Sequence, residues 1–343
     1  MKIKLKPLDE QVIVITGASS GIGLATAYAA AKEGARLVLA ARSEADLDRI
    51  TQKINSKGGE SIFVVADVGK QEDVERIATA ANQYYGGFDT WVNDAGVSIY
   101  GRLDEVSDED NRRLFDTNFW GVVYGSLVAA KDLRGRGGAI INIGSELSDL
   151  SIQIQGMYSA SKHAVKGFTD ALRIELEEAD APVSITLIKP AGINTPYTQH
   201  AKNYTGREAT LPPPVYEPEE VAYAILKAAV KPHRDIMVGG AAKLMSTMNK
   251  VVPSAMDWMN EKLMTDQQLK DQPERYHRDG LHNAAGGGKV HGNYDGHTMK
   301  SVYTRAVLNP VLTGVLAVAA AAGAAFLLSA NSDRREQEYY DEE

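Results

Sequence analysis

The sequence predicts an α/β fold: a doubly wound parallel sheet of about seven strands, followed by a C-terminal extension and a candidate transmembrane helix. Three observations carry this reading. Short apolar runs rich in Val and Ile recur between Gln11 and Val238, most of them hydrophobic without alternation, as strands buried on both faces require. Segments with helical spacing separate them, and such alternation implies a parallel sheet covered by helices on both sides. After about Ala241 the alternation stops, and residues 306–330 form a run with no charge.

In order, the strand candidates are "VIVITG", "RLVLAA", "SIFVVA", "TWVNDAG", "AIINIG", "SITLIKP" and "DIMVGG". Helical spacing is found at 22–34, 44–57, 71–86, 110–133, 157–179 and 218–231. Right-handed crossovers place the working edge at the carboxyl ends of the strands. Residues 8–241 are therefore expected to form one domain. Residues 242–305 are expected to be a helical extension and then a flexible linker. Met and Trp at near-helical spacing in 242–265 suggest a packing face. Residues 266–300 are polar and glycine-bearing, and their histidines (His277, His282, His291, His297) match no ligand spacing, so no metal site is expected. Residues 331–343 form a short charged tail.

Composition narrows the function. A net charge of −8 with no basic block excludes a nucleic-acid partner. The absence of cysteine removes disulfides and thiolate catalysis together. A hydrophobic fraction of 44% and a charged fraction of 24% are those of a chain that can bury a sizeable core.

Two motifs carry chemistry. "TGASSGIG", residues 16–23, joins the first strand to a helix starting near Ile22. Glycines there let backbone N–H groups and a helix N-terminus approach a pyrophosphate. The second strand ends in "LAARSE", with Ala41 where an NAD enzyme places an acid for the ribose 2′-hydroxyl, and Arg42 beside it. A guanidinium pairs with a 2′-phosphate, which favours NADP(H). Further on, Tyr158 and Lys162 stand four residues apart and share one helix face.

On these motifs the chain resembles the short-chain dehydrogenase/reductase family over about residues 8–240, and this implies a Rossmann fold. Thr16, Gly17, Ser19, Ser20, Gly21, Ile22 and Gly23 match the family's cofactor fingerprint. "ADV" at 66–68 matches the strand end whose Asp67 would bond the adenine, with Val68 beside it. "NDAG" at 93–96 resembles the Asn-Asn-Ala-Gly motif through Asn93, Ala95 and Gly96, with Asp94 replacing the second Asn. Asn118 matches the asparagine of the family's proton relay, and Ser145 lies thirteen residues before Tyr158, as the catalytic serine does. "PAGINTP" at 190–196 resembles the stretch that holds the nicotinamide, through Pro190, Gly192, Ile193 and Thr195, with Ala191 where glycine is usual.

The resemblance implies an NADP(H)-dependent oxidoreductase that interconverts a carbonyl and an alcohol. Tyr158 would be the acid–base, Ser145 would orient the substrate oxygen, and Lys162 would lower the tyrosine pKa and bond the nicotinamide ribose. Asn118 would tie a water chain to Lys162. The expected partners are a small-molecule carbonyl or alcohol, lipophilic if the enzyme is membrane-bound, and a second copy of the chain in a homodimer or homotetramer. At ~1.5 Å per residue, 306–330 reaches about 37 Å, enough to cross a hydrocarbon core of roughly 30 Å. It is expected to anchor the enzyme in a lipid bilayer with the catalytic domain facing the cytoplasm. Two alternatives stay open: a soluble alanine-rich helix at 306–330, and a non-catalytic dinucleotide-binding sensor or membrane scaffold on the same fold.

Overall fold

The computed structural model describes residues 3–275, 279–311, 313 and 314. The apolar runs form β1 (Val12–Thr16), β2 (Arg36–Ala41), β3 (Glu60–Val65), β4 (Thr90–Asn93), β5 (Gly138–Ile143), β6 (Val183–Pro190) and β7 (Asp235–Val238). They make one sheet in the order β7-β6-β5-β4-β1-β2-β3, with every neighbouring pair parallel. The order reverses between β1 and β4, where Thr16 pairs with Asn93. A crevice opens at such a switch point, outside the carboxyl ends of the strands.

The longer helices are α1 (Gly21–Lys32), α2 (Glu44–Asn55), α3 (Gln71–Tyr85), α4 (Asp108–Phe115), α5 (Gly121–Leu133), α6 (Gly156–Glu178), α7 (Pro218–Val230), α8 (Gly240–Val251), α9 (Pro253–Met259) and α10 (Val302–Leu308). They give the sheet two cores. Leu24, Leu47, Ile50 and Ile225 pack on one face, and Val74, Ile77, Leu133 and Leu172 on the other. Burying each such side chain contributes roughly 1.5–3 kcal/mol, so the sheet is fixed from both sides.

Three expectations need correction. The helix expected at 110–133 is split by a π-turn at Asp116–Trp120. Asn118 lies in that turn and bonds both the N–H and the C=O of Val97. Such bulges accommodate an extra residue where a side chain must be aimed.

The second correction concerns the flexible linker expected in 242–305. Residues 279–300 are instead laid against the sheet domain. Gly286, Gly287 and Gly288 have φ of +61°, +122° and +51°, and a Cβ on Gly288 would lie 2.0 Å from Arg49 Nη2. Gly288 is there because the chain passes close to Arg49, while Gly286 and Gly287 serve the left-handed backbone. His282 bonds Asp110, and His291 lies beside Glu217 and Glu219 on the exposed side.

Third, the start of 306–330 belongs to the folded body. Leu308 is buried in the core beside α7 and β7, and Arg305 makes a two-pronged ion pair with the buried Glu220. Apart from residue 312, the segment up to Gly314 is described, and the rest of the expected span lies outside the described residues. Among these, no helix is long and apolar enough to cross a membrane.

Candidate active site

A cavity of about 480 Å³ opens at the switch point. The loop after β1 forms part of its wall through Gly17, Ser19, Ser20, Gly21 and Ile22, and the ends of β2 and β3 add Arg42, Asp67 and Val68. Ala95 and Gly96 follow β4, while Pro190, Gly192, Ile193 and Thr195 follow β6. Ser145, Tyr158 and Lys162 also line it. The fold thus brings most of the candidate residues to one crevice.

The loop after β1 is shaped by close approach. A Cβ on Gly17, whose φ is +72°, would fall 2.8 Å from Ala95 Cα, and one on Gly23 would fall 2.5 Å from the Gly17 carbonyl oxygen. Ser20 caps α1 without a side-chain hydrogen bond, so its hydroxyl is not spent on the helix end. The glycine cradle under the N-terminus of α1 fits the pyrophosphate of a dinucleotide, although the Gly21 N–H donates to the Lys289 carbonyl and the Gly23 N–H to Asp94. At the end of β2 no acid stands at position 41, and the half-buried Arg42 lines the cavity while donating to the carbonyls of Gly280 and Leu281. Burial and the neighbouring Arg113 lower the Arg42 pKa.

Four candidates lie elsewhere. Thr16 is buried, and its hydroxyl accepts from the N–H groups of Asp94 and Ala95, tying β1 to the end of β4. Gly23 lies beneath the loop, against Gly17. The Asn93 side chain is spent in a buried network with Trp91, Ser126 and Asn142. The Asn118 side chain is likewise consumed by Val97 and Ser161. Asp67 lines the cavity, but its carboxylate pairs with Arg113 at 2.6 Å and accepts the Gly69 N–H.

The catalytic candidates sit on α6 and on the turn after β5. Ser145 caps the short helix Glu146–Ser148, accepting the Leu147 N–H at 3.1 Å, and this holds its side chain at the cavity. Tyr158 hydrogen-bonds with Ser145 and Tyr197. The buried Lys162 donates to the Ile143 carbonyl at 2.9 Å, with its ammonium 5.7 Å from the Tyr158 ring centroid.

The electrostatics correct one expectation. Burial pushes the Tyr158 phenol up to about 12; its hydrogen bonds oppose the rise, and the carboxyls of Glu146 and Asp94 add to it. Burial outweighs the Lys162 charge at the phenol, and the ammonium is itself lowered to about 8 by burial. Burial lifts Asp94 to about 8, opposed by the Lys162 ammonium and the Gly23 N–H. Glu146 is raised to about 7 by burial alone.

Sequence reasoning missed several groups at this site. Tyr197 opens the long segment after the nicotinamide motif and stacks edge-on to Tyr158, with centroids 5.6 Å apart. Its hydroxyl lies 2.7 Å from both Ser98 Oγ and Gln155 Oε1. Glu146 directly follows the serine, and no motif marked it. Arg113 and the segment near 280–286 reach the site only through the fold.

Residues 11–205 match the family model for short chain dehydrogenases. The chain belongs to the short-chain dehydrogenase family. It is 45% identical to an uncharacterized oxidoreductase, YxnA, of Bacillus subtilis over 94% of this chain and 92% of that one. It is 34% identical to 11-beta-hydroxysteroid dehydrogenase A of Sesamum indicum, over 73% of this chain and 74% of that one. Among solved structures it resembles a short-chain dehydrogenase/reductase of Burkholderia phymatum in complex with NAD, with 28% identity, a TM-score of 0.63, and coverage of 78% of this chain and 99% of that one. It also resembles the L-sorbose reductase of Gluconobacter frateurii complexed with NADPH and L-sorbose, with 26% identity, a TM-score of 0.60, and coverage of 70% and 98%. The chain is thus a family oxidoreductase with a nicotinamide dinucleotide site, and its relatives include proteins solved with either form of that cofactor.

Proposed function

We propose that this short-chain dehydrogenase interconverts a lipophilic ketone and its secondary alcohol, with NADP(H) as cofactor. The observation that carries the reading is the convergence of Tyr158, Ser145 and Lys162 on one cavity that continues into the cradle after β1. Bound there, the nicotinamide supplies or accepts the hydride. The residues that would hold the dinucleotide are Gly17, Ser19, Ser20, Ile22 and Arg42, with Lys162 at the nicotinamide ribose.

Tyr158 gives its phenolic proton to the carbonyl oxygen during reduction and takes it back during oxidation. A phenol held up by burial is fully protonated at neutral pH and ready as an acid. Ser145 donates to the same oxygen and keeps it in reach. Tyr197, hydrogen-bonded to the phenol and anchored by Ser98 and Gln155, positions Tyr158. Arg42 without an acid at position 41 supports NADP over NAD.

The lipophilic substrate rests on the far wall, where Leu147, Leu150, Leu211, Met245, Met259 and Met264 line the cavity. Apolar walls with a few polar groups bind apolar ligands of matching size. The named activity of the sesame relative points the same way, to a bulky hydroxylated hydrocarbon frame. For assembly, Trp120 on the π-turn (43% exposed), Leu127 on α5 (48%) and Ile174 on α6 (62%) leave an apolar face for a second copy. A bilayer anchor in the part of 306–330 that follows Asn309 remains a proposal from its charge-free sequence. Steady-state oxidation of NADPH and NADH with a panel of aliphatic, aromatic and alicyclic ketones tests the reading. No turnover with any ketone or alcohol, in either direction, would refute it.

A further inference from the structure

The segment that follows the family match supplies part of the cofactor groove. Residues 279–292 run along it and are held by groups that belong to it. Arg42 donates to the carbonyls of Leu281 at 3.1 Å and Gly280 at 2.5 Å, and Arg113 Nε donates to the same Leu281 carbonyl at 3.1 Å. The N–H of Gly21, first residue of α1, donates to the Lys289 carbonyl at 2.9 Å. Gly287 N–H donates to Asp46 at 2.9 Å, and Gly292 N–H donates to the Asn194 carbonyl at 3.2 Å.

Side chains fasten one end. Leu281 is fully buried with Ile99 and Leu114, and His282 Nε2 lies 2.6 Å from Asp110. The glycines are required by proximity. A Cβ on Gly280 would fall 2.5 Å from the His200 carbonyl oxygen, and one on Gly292 would fall 2.3 Å from that of Thr195. The segment bounds the cavity without filling it, and Gly280, Ala284, Ala285 and Gly286 are among its lining residues. The shared Leu281 carbonyl also holds two guanidiniums side by side against their repulsion. Arg42 follows β2, and Arg113, on α4, pairs with Asp67 after β3, at the strand ends that would meet the adenosine.

We propose that residues 279–292 are part of the dinucleotide site: a strap that roofs the adenosine end, holds Arg42 and Arg113 in place, and limits how fast the cofactor leaves. This rests on the groove being a dinucleotide site, but not on a preference for NADP. The strap approaches Gly21 and the ends of β2 and β3, and these would meet the adenosine and pyrophosphate of either cofactor.

The test uses the full chain and two variants, Leu281→Ala, which removes the buried fastening, and Gly288→Val, which forces a side chain against Arg49. Circular dichroism and melting confirm that each is folded. NADPH and NADH dissociation rates are read by stopped-flow fluorescence, and amide exchange of 279–292 is followed with and without NADPH. The expected result is dissociation about tenfold faster or more in both variants and for both cofactors, with strap exchange slowed by NADPH in the unmodified protein. Unchanged dissociation rates in the folded variants would overturn the roof. Tighter NADPH binding in them would also overturn it, since the strap would then compete with the cofactor. Failure of the unmodified protein to bind either cofactor would refute the dinucleotide reading itself.

Discussion

Lys162→Met is the most informative substitution at the site. The ammonium stands 5.7 Å from the Tyr158 ring centroid, and a unit charge at that distance, with an effective dielectric constant near 20, is worth about 2.9 kcal/mol to a phenolate. At 1.36 kcal/mol per pKa unit this is about two units. Burial holds the phenol at about 12 and disfavours its charged form. Removing the cation disfavours it further. Alcohol oxidation needs the phenolate, so its rate climbs with pH, and below about pH 8, where Lys162 keeps its charge, that limb should lie about two units higher in the variant. At a fixed pH below about 8, where Lys162 is charged, the oxidation rate should fall about a hundredfold. The assay is the pH–rate profile of alcohol oxidation for both proteins, with NADPH affinity measured in parallel by fluorescence. Lys162 also donates to the Ile143 carbonyl, so a melting curve checks that the variant is folded. An unmoved basic limb with an unchanged maximal rate would refute the electrostatic role. A loss of affinity with an unmoved limb would leave lysine only its ribose contact.

Tyr158→Phe should lower turnover by roughly 10²–10⁴-fold while leaving NADPH affinity near normal, because Tyr197 keeps its contacts with Ser98 and Gln155; a near-normal rate would place the acid elsewhere. Ala41→Asp combined with Arg42→Leu should shift preference towards NAD by on the order of ten to a hundredfold, since a charge-assisted phosphate contact is worth about 1.5–3 kcal/mol. Equal use of both cofactors by the unmodified protein would sink that assignment. Asp94→Asn tests the raised carboxyl. Its folded pKa of about 8 lies above the ordinary 3.8, so the native state keeps a proton that the unfolded chain gives up. The unmodified protein then loses stability as pH rises through that window, by at most ~1.4 kcal/mol per pH unit, less because the residue is partly exposed. The melting advantage of the variant should grow from pH 5 to 8, and an advantage independent of pH would contradict the assignment. Finally, a chain ended after Asn309 keeps α10 and its Arg305–Glu220 pair. Carbonate-resistant membrane association of the full chain, lost on this truncation, supports the anchor, and a full chain that stays soluble without detergent excludes it.

The sheet was legible because its signals are local. A strand buried on both faces reads as an apolar run, and a glycine turn between strand and helix reads as a cradle. The four-residue spacing of Tyr158 and Lys162 put both on one helix face before any packing was known. What the sequence alone could not determine depends on contacts between distant residues. Asn93 and Asn118 fit a motif, yet their amides are spent on buried partners at Asn142, Ser126, Val97 and Ser161, and only packing assigns those partners. The rise of Tyr158, Asp94 and Glu146 is a burial effect, which spacing does not report. The glycine-rich stretch near 286–288 illustrates the limit most plainly. Its composition is the same for a loose linker and for a strand of chain pressed against Asp46 and Arg49. Glycine permits both conformational freedom and close approach, and only the tertiary structure decides which of the two is used.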